Sequence, residues 1–376
     1  MQSPKSRGSV KMQNSFEALP PFRCSQISSK LKCRFPPIAS SCIVILLGKL
    51  PLPPCSINPT TIGKKELPPD KRIRQVKYFY LKWGQTMAYK VIVNPIAGRG
   101  LAKSNVPKVK AVLEQMDIDY QLFLTEGPGH AAELAADLDD YSGVVAIGGD
   151  GTLNEVVNGM PKNKPLCVVP LGTGNDFARS FNIPFGVESL RLITEGQLRE
   201  IDMGVYSEGV FLCSVAVGLA SDVMMRVNAK RHMRFLRGKL AFLVEVIASA
   251  FQLKPLELTI DADDQHRELT SILVYVMNTS YTGGGIYLAP EADPGDGYLD
   301  LVVAKDVTGW ELLKVLPKTY SGRHVNHPKV EFLRAKSIQI KSTVDTEIMV
   351  DGEIKGKTPL NVTLYPKKLQ VFVPKL

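Results

Sequence analysis

The stretch Val144-Val145-Ala146-Ile147-Gly148-Gly149-Asp150-Gly151-Thr152-Leu153-Asn154-Glu155 constrains this chain more than any other. A β-branched apolar run reads as a buried strand, and it stops at two glycines. Leu153, Val156, Val157 and Met160 then recur at i, i+3, i+4 and i+7, one face of a helix. A strand, a tight Gly-rich turn and a helix N-terminus in that order aim backbone N–H groups and the positive end of a helix dipole at an anion. Glycine lets a phosphate come close to the main chain. Asp150 would repel such a phosphate, and a divalent cation between the two resolves the conflict.

The flanking sequence repeats the theme. Tyr89 to Val93 reads as a strand, ended by Asn94-Pro95 and a loop through Gly98 and Gly100. Val106, Val109, Leu113 and Met116 mark a helix. Tyr120 to Leu124 is a second strand, stopped at Thr125 to Gly129, and Ala131 to Leu138 a second helix. Leu166 to Val169 is a fourth strand, followed by Pro170-Leu171-Gly172-Thr173-Gly174-Asn175-Asp176-Phe177-Ala178-Arg179. Strands alternating with helices predict a doubly wound parallel sheet, with ligand loops at the carboxyl ends of the strands. Arg99 is placed to pair with Asp150 or with a phosphate, since its donor fork suits either. Asn175 and Asp176 read as a helix cap as well as a site pair.

Composition and charge narrow the class. The chain has 376 residues, 44% hydrophobic and 22% charged, as a globular protein does. Its net charge of +9 is concentrated before Met87, where 15 Lys+Arg face 3 Asp+Glu, leaving 31 and 34 in the rest. The body is slightly acidic, so no nucleic-acid partner is expected. Residues 1–86 read as a basic, disordered leader, either a targeting peptide or sequence upstream of a biological start at Met87. The apolar run Ile43 to Leu47 is far short of a membrane span. Cys167 and Cys213 lie in apolar runs and read as buried free thiols, and the histidines His232, His266, His324 and His327 as surface imidazoles.

After about Ile201 the rhythm changes to short runs: Val210 to Val217, Leu256 to Ile260, Ser271 to Met277, Tyr298 to Val303, Ser337 to Ile340 and Glu347 to Val350. Leu256, Leu258 and Ile260 alternate with polar residues, which predicts a mainly antiparallel, β-sandwich-like second domain. Two helices, Lys239 to Phe251 and Gly309 to Ser321, interrupt it. Asp293 and Asp296 stand three apart on a Pro/Gly loop able to fold both onto one hard cation, or to form a plain surface turn. Asp351-Gly352 reads as a hairpin turn, and Asp351 alternatively as a general base. The chain has no Gly-x-x-x-x-Gly-Lys-[Ser/Thr] loop and no zinc-type Cys/His spacing.

Taken in order, Asn94-Pro95-x-x-Gly98, Gly148-Gly149-Asp150-Gly151-Thr152, Pro170 to Arg179, Gly283-Gly284-Gly285, Asp293 to Asp300 and Asp351-Gly352-Glu353 resemble the diacylglycerol kinase catalytic family, specifically its soluble bacterial-type lipid kinases. The resemblance covers residues 88 to 376. It implies an α/β nucleotide-binding domain over residues 87–200 and a β-rich lipid-substrate domain over 201–376, with the active site in the cleft. It implies ATP as co-substrate and Mg2+ as cofactor, with transfer of the γ-phosphoryl group to a lipid hydroxyl, most simply that of diacylglycerol.

By position, Asn94, Pro95, Ile96, Ala97, Gly98, Thr125, Gly148, Gly149, Asp150, Gly151, Thr152, Leu153, Asn154 and Thr173 would bind the nucleotide. Arg99 and Asp176 would form a charge network around Asp150. Asp293, Asp296 and the carbonyl of Tyr298 would hold a structural Mg2+, and Asp351 would accept the proton. A cytoplasmic enzyme that docks peripherally on a membrane follows, and a homodimer is compatible with it. The helix Lys239 to Phe251, preceded by Arg231, Arg234 and Arg237, is the candidate contact. The glycine stretch alone is shared with NAD kinases. A soluble NAD-kinase-like enzyme, a kinase of phosphatidylglycerol or a sphingoid base, and an inactive lipid-binding protein are the rival readings.

Overall fold

The computed structural model describes residues 88–229 and 239–375. The leader reading and the expectations for Arg231, His232, Arg234 and Arg237 lie outside the described residues. In the first half, β1 (Tyr89–Val93), α1 (Leu101–Gln115), β2 (Tyr120–Leu124), α2 (His130–Ala136), β3 (Gly143–Gly148), α3 (Asp150–Gly159), β4 (Leu166–Pro170) and α4 (Asp176–Ser180) follow one another. β1 lies between β2 and β3, and β3 pairs with β4, all in parallel. Every residue of β3 and β4 is buried, as a strand covered on both faces requires. Four loops therefore leave the carboxyl ends of β1 to β4 on one edge of the sheet.

The second half is antiparallel. Its longer strands are β5 (Gln197–Tyr206), β6 (Ser214–Gly218), β7 (Leu256–Ala262), β8 (Gln265–Met277), β9 (Leu299–Lys305), β10 (Val330–Ala335), β11 (Ser337–Ser342), β12 (Glu347–Val350), β13 (Glu353–Lys357) and β14 (Leu360–Val373). In β7 the residues Leu256, Leu258, Ile260 and Ala262 face a core shared with Val274, Val276, Leu301 and Val362. Among the described residues, fifteen strands join in one sheet. β14 makes the join: it pairs antiparallel with β11, and near its end Val371 meets Leu166 of β4 in parallel. Leu369, Val371, Phe372 and Val373 thus complete the core of the first half, which a boundary at residue 200 does not anticipate.

Two expectations need correction. The run Val210 to Val217 is not one strand: a short strand Gly209–Phe211 ends, and β6 starts at Ser214. Leu212 and Cys213 leave the ladder because their N–H groups are taken by a carboxylate described below. His324 is buried at 2% exposure, its Nε2 within 2.8 Å of the Leu288 carbonyl oxygen. Cys167 and Cys213 are buried free thiols, and burial pushes the Cys167 thiol up to about 12. Three helices, α5 (Leu219–Ala229), α6 (Lys239–Ala250) and α7 (Gly309–Thr319), pack in sequence, α6 touching both neighbours. α5 lies against β6, β12 and β13.

Candidate active site

The strand-end loops of the first half are built on backbone contact. Leu171 N–H donates to Gly148 O (2.8 Å), tying the loop after β4 to the end of β3. A Cβ on Gly172 would sit 2.2 Å from the Gly149 Cα, and one on Gly98 would sit 2.1 Å from Leu171 O. No other residue fits either position, so three loops lie directly on one another. The Asn94 amide donates to Thr152 Oγ1 (2.9 Å), and Asn94 Oδ1 accepts from Ile96 N–H (3.2 Å). Thr125 is buried, its N–H on Val93 O (2.9 Å). Ile96 and Thr173 are exposed on this edge, whereas Leu153 points into the core and can offer a ligand only its main chain. Pro95, Ala97, Gly148, Gly149 and Gly151 lie on the same loops.

Asp150 heads α3, yet its side chain serves a different helix. Its Oδ1 accepts the N–H of Phe177 (3.2 Å) at the start of α4. Asn175 does not cap α4: it sits in the left-handed region (φ 55°), and its amide clasps Gly172 through both polar atoms. Asp176 Oδ2 accepts the N–H of Gly284 (2.7 Å) from the second half, and its buried Oδ1 has no hydrogen-bond partner. Burial raises the pKa of Asp150 against backbone N–H groups that lower it. Burial, then the charge of Asp150, pushes Asp176 up to about 6, opposed by the N–H groups of Gly284 and Gly285 and by Arg179. Two carboxylates desolvated together, with one oxygen unmet, form a site for positive charge.

Gly98 and Arg99 both adopt left-handed φ values (58° and 61°), and the Arg99 side chain is exposed. The cation beside Asp176 is Arg179, whose guanidinium lies between the rings of Phe185 (5.3 Å) and Tyr281 (5.8 Å). Sequence reasoning passed over Arg179, although its i, i+3 spacing from Asp176 on a helix was a usable signal.

Asp351 comes from the second half. Asp351 and Gly352 (φ 44° and 86°) make the two-residue hairpin turn between β12 and β13, where positive φ at both positions is required. The turn aims the carboxylate at the break before β6. Its Oδ1 accepts from Cys213 N–H (2.8 Å) and Ser214 N–H (2.9 Å), and its Oδ2 from Leu212 N–H (2.9 Å) and Asn154 Nδ2 (2.8 Å). The turn reading and the functional reading of Asp351 are therefore compatible. Burial raises its pKa, against the Leu212, Ser214 and Cys213 N–H groups and Asn154. Asn154 is on α3, four residues from Asp150, so one helix of the first half touches both acids. A Cβ on Gly151 would lie 3.4 Å from Glu353 Oε1, a second contact across the same cleft.

Asp293 and Asp296 are arranged differently. Asp293 is ion-paired with Arg199, and Asp296 with Arg334. Each also accepts a nearby N–H, from Gly295 and Tyr298 respectively (both 3.0 Å). The Tyr298 ring has Arg334 and Lys336 each 4.9 Å from its centroid. Among the described residues no group of three or more acidic, His or Cys side chains is poised to hold a metal. The loop is nevertheless tied to Asp351. Buried Asp202 accepts from Gly297 N–H (2.9 Å), and the Asn278 amide donates to the carbonyls of Asp202 (3.0 Å) and Leu212 (2.8 Å). Asp202 and Asn278 carry no motif around them and were invisible in the sequence.

Comparison with known proteins matches the two halves separately. The family described as "Diacylglycerol kinase catalytic domain" matches residues 88–206, and "YegS C-terminal NAD kinase beta sandwich-like domain" matches 213–373. A diacylglycerol kinase of Staphylococcus saprophyticus is 32% identical over 291 residues, 76% of this chain and 95% of the relative. One from Staphylococcus epidermidis is 32% identical over 293 residues, covering 76% and 92%. A solved structure from Bacillus anthracis strain Sterne superposes with a TM-score of 0.64 at 24% identity, over 77% of this chain and 98% of that one. A second, described as a diacylglycerol kinase of the same strain, gives 0.58 at 22% identity, over 77% and 97%. The structures support the fold, and each of these sequence relatives covers about three quarters of this chain. The chain belongs to the diacylglycerol kinase family and is a kinase of that type.

Proposed function

We propose that this kinase transfers the γ-phosphoryl group of ATP, with Mg2+, to a lipid hydroxyl, with diacylglycerol as the acceptor and phosphatidic acid as the product. The observation that carries the reading is the placement of Asp351 across from Asp150 and Asp176, with Asn154 touching Asp351 from the helix that Asp150 begins. One side of the cleft has loops and unmet negative charge suited to a phosphate–cation pair. The other has a carboxylate suited to a hydroxyl. The first half is the nucleotide domain and residues from about 201 the acceptor domain.

The chain's residues divide the work. Backbone N–H groups of the loops 94–98 and 148–152, with Thr173, take the phosphates. The unpartnered Oδ1 of Asp176, beside Asp150, fits a hard divalent cation, and these two acids would hold the catalytic Mg2+. That ion supplies neutralisation of the charge on the phosphoryl oxygens. The loop of Asp293, Asp296 and Tyr298 fits a second ion less well, because arginines already meet both carboxylates.

Asp351 has about four lone-pair positions, and four donors fill them. Three donors are fixed backbone, and the fourth is the Asn154 amide, whose Nδ2 also reaches Val210 O (3.2 Å). The acceptor hydroxyl takes the place of that amide on Oδ2 and passes its proton to Asp351. Its oxygen bonds to the γ-phosphorus while the bond to the β-phosphate oxygen breaks.

Because the acceptor is a membrane lipid, the enzyme works as a cytoplasmic, peripherally docked protein. No helix among the described residues is long and apolar enough to cross a bilayer. Labelled ATP, Mg2+ and separate acceptors (diacylglycerol, phosphatidylglycerol, a sphingoid base, NAD) test the reading. Label is expected in phosphatidic acid. Label confined to NAD, or to none of the lipids, overturns it.

A further inference from the structure

Helix α6 carries apolar side chains on its outer face as well as its inner one. Val244, Ile247, Ala248 and, just past its end, Phe251 recur at i, i+3, i+4 and i+7, and all four are exposed. Glu245, Val246, Ser249 and Ala250 are buried on the inner side. A helix packed on a globular body ordinarily shows water a polar face instead. The outward stripe ends in an aromatic pair: Phe251 and Trp310 of α7 stand edge to face, ring centroids 5.6 Å apart, at 60% and 67% exposure. The pairing is built in, because a Cβ on Gly309 would sit 2.0 Å from Ala250 O. Only glycine lets α7 start against the end of α6, which brings Trp310 to Phe251.

Cations surround this apolar face. Lys314 and Lys318 continue the exposed face of α7 that Trp310 begins, at i+4 and i+8. Arg226 of α5 reaches Gln252 (3.1 Å), and Lys254 is exposed just beyond. We propose that the outward faces of α6 and α7 form the surface on which this enzyme lies against an anionic bilayer, with Phe251 and Trp310 entering the headgroup region. The proposal rests on the lipid-kinase reading above.

Three observations favour a bilayer as the occupant. Tryptophan and phenylalanine beside lysines are the side chains that settle at a membrane interface. A second copy meeting this face by two-fold symmetry would set its lysines and arginines against one another. And α5, which α6 covers, packs on β12 and β13, the strands that carry the Asp351 turn. A bilayer on α6 and α7 is thereby next to the helix that flanks the acceptor carboxylate.

The test uses the full chain and vesicles of phosphatidylcholine with or without phosphatidylglycerol, loaded with long-chain diacylglycerol. Wild type is expected to partition onto the anionic vesicles. Phe251→Ser with Trp310→Ser is expected to lower partition about tenfold or more, since two large apolar groups no longer leave water. Its rate on vesicle diacylglycerol falls in parallel, while its rate on dispersed short-chain diacylglycerol stays that of wild type, which also shows the variant folded. Lys314→Glu with Lys318→Glu gives the same pattern and removes the preference for phosphatidylglycerol.

Unchanged partition of both double variants overturns the surface, whatever lipid is phosphorylated. A dimer in wild type that the serine variant dissociates, with vesicle binding intact, also overturns it and makes the face a self-contact. Variants that lose partition in an enzyme that phosphorylates no lipid uphold the surface and overturn the lipid-kinase reading instead.

Discussion

Two acidic pairs of this kinase, Asp150 with Asp176 and Asp293 with Asp296, have opposite surroundings in the fold. The first pair is desolvated, the charge of Asp150 adds to burial in raising the proton affinity of Asp176, and one oxygen of Asp176 is unmet. The second pair is partly exposed and each member has an arginine. The difference teaches that carboxylate spacing does not by itself mark a cation site. What marks one is negative charge held out of water with an oxygen left unmet. In the first pair the helix start at Asp176 to Phe177 supplies N–H groups that keep Asp150 in place but cannot neutralise it.

The largest effect is expected at the buried pair. Asp150→Asn removes a charge that the fold desolvates for use, and turnover should fall about a hundred- to a thousandfold, read as kcat across a Mg2+ titration. A variant with ordinary kcat and ordinary Mg2+ dependence breaks the distinction between the pairs. The pH dependence of stability is next. Asp176 is raised to about 6, so between the ordinary carboxylate range and pH about 6 the native state binds more protons than the unfolded chain. Stability from this group is therefore present at low pH and lost as pH rises through about 6. Asp300, pushed up to about 6 chiefly by burial, acts in the same direction. A divalent cation at the first pair offsets the loss, so the increase in Tm on adding Mg2+ should grow from pH about 5 to about 7. An increase independent of pH contradicts it.

The smallest effect belongs to the exposed pair. Arg334 contacts Asp296 and also Asp300 (3.3 Å), and its side chain is half exposed. Arg334→Ala should raise divalent-cation affinity at the loop by no more than about fivefold, because exposed ion pairs are weak. Equilibrium binding of Mn2+ to the wild type and the variant reads this. A far larger gain shows that the arginines, rather than exposure, separate the two pairs.

What could be read from sequence follows the range of the interactions. β1, β3 and β4 were legible because each is a largely buried apolar run with glycine or proline at or just past its end, and the half-buried edge strand β2 because a Gly/Pro stop follows it; the loops followed from the topology. Leu212 and Cys213 were not, because nothing in the mostly apolar run from Val210 to Val217 shows that two N–H groups will turn to a carboxylate 138 or more residues away. Asn154 and Asp351 are 197 residues apart. Only the family resemblance joined their motifs, and it gave no contact. Which side of α6 faces water is fixed by α5 and α7 rather than by its own residues. The return of β14 to β4 likewise depends on pairing between distant segments.

Asp351→Asn tests the central division of labour most directly, since it keeps the shape of the side chain and removes its capacity to take a proton. Nucleotide affinity and phosphoryl transfer to diacylglycerol are measured on the same preparation. ATP affinity within about twofold of wild type, with turnover lower by about 10²- to 10⁴-fold, is the predicted result. Near-normal turnover, or loss of nucleotide binding equal to the loss of rate, contradicts the assignment of the proton to Asp351.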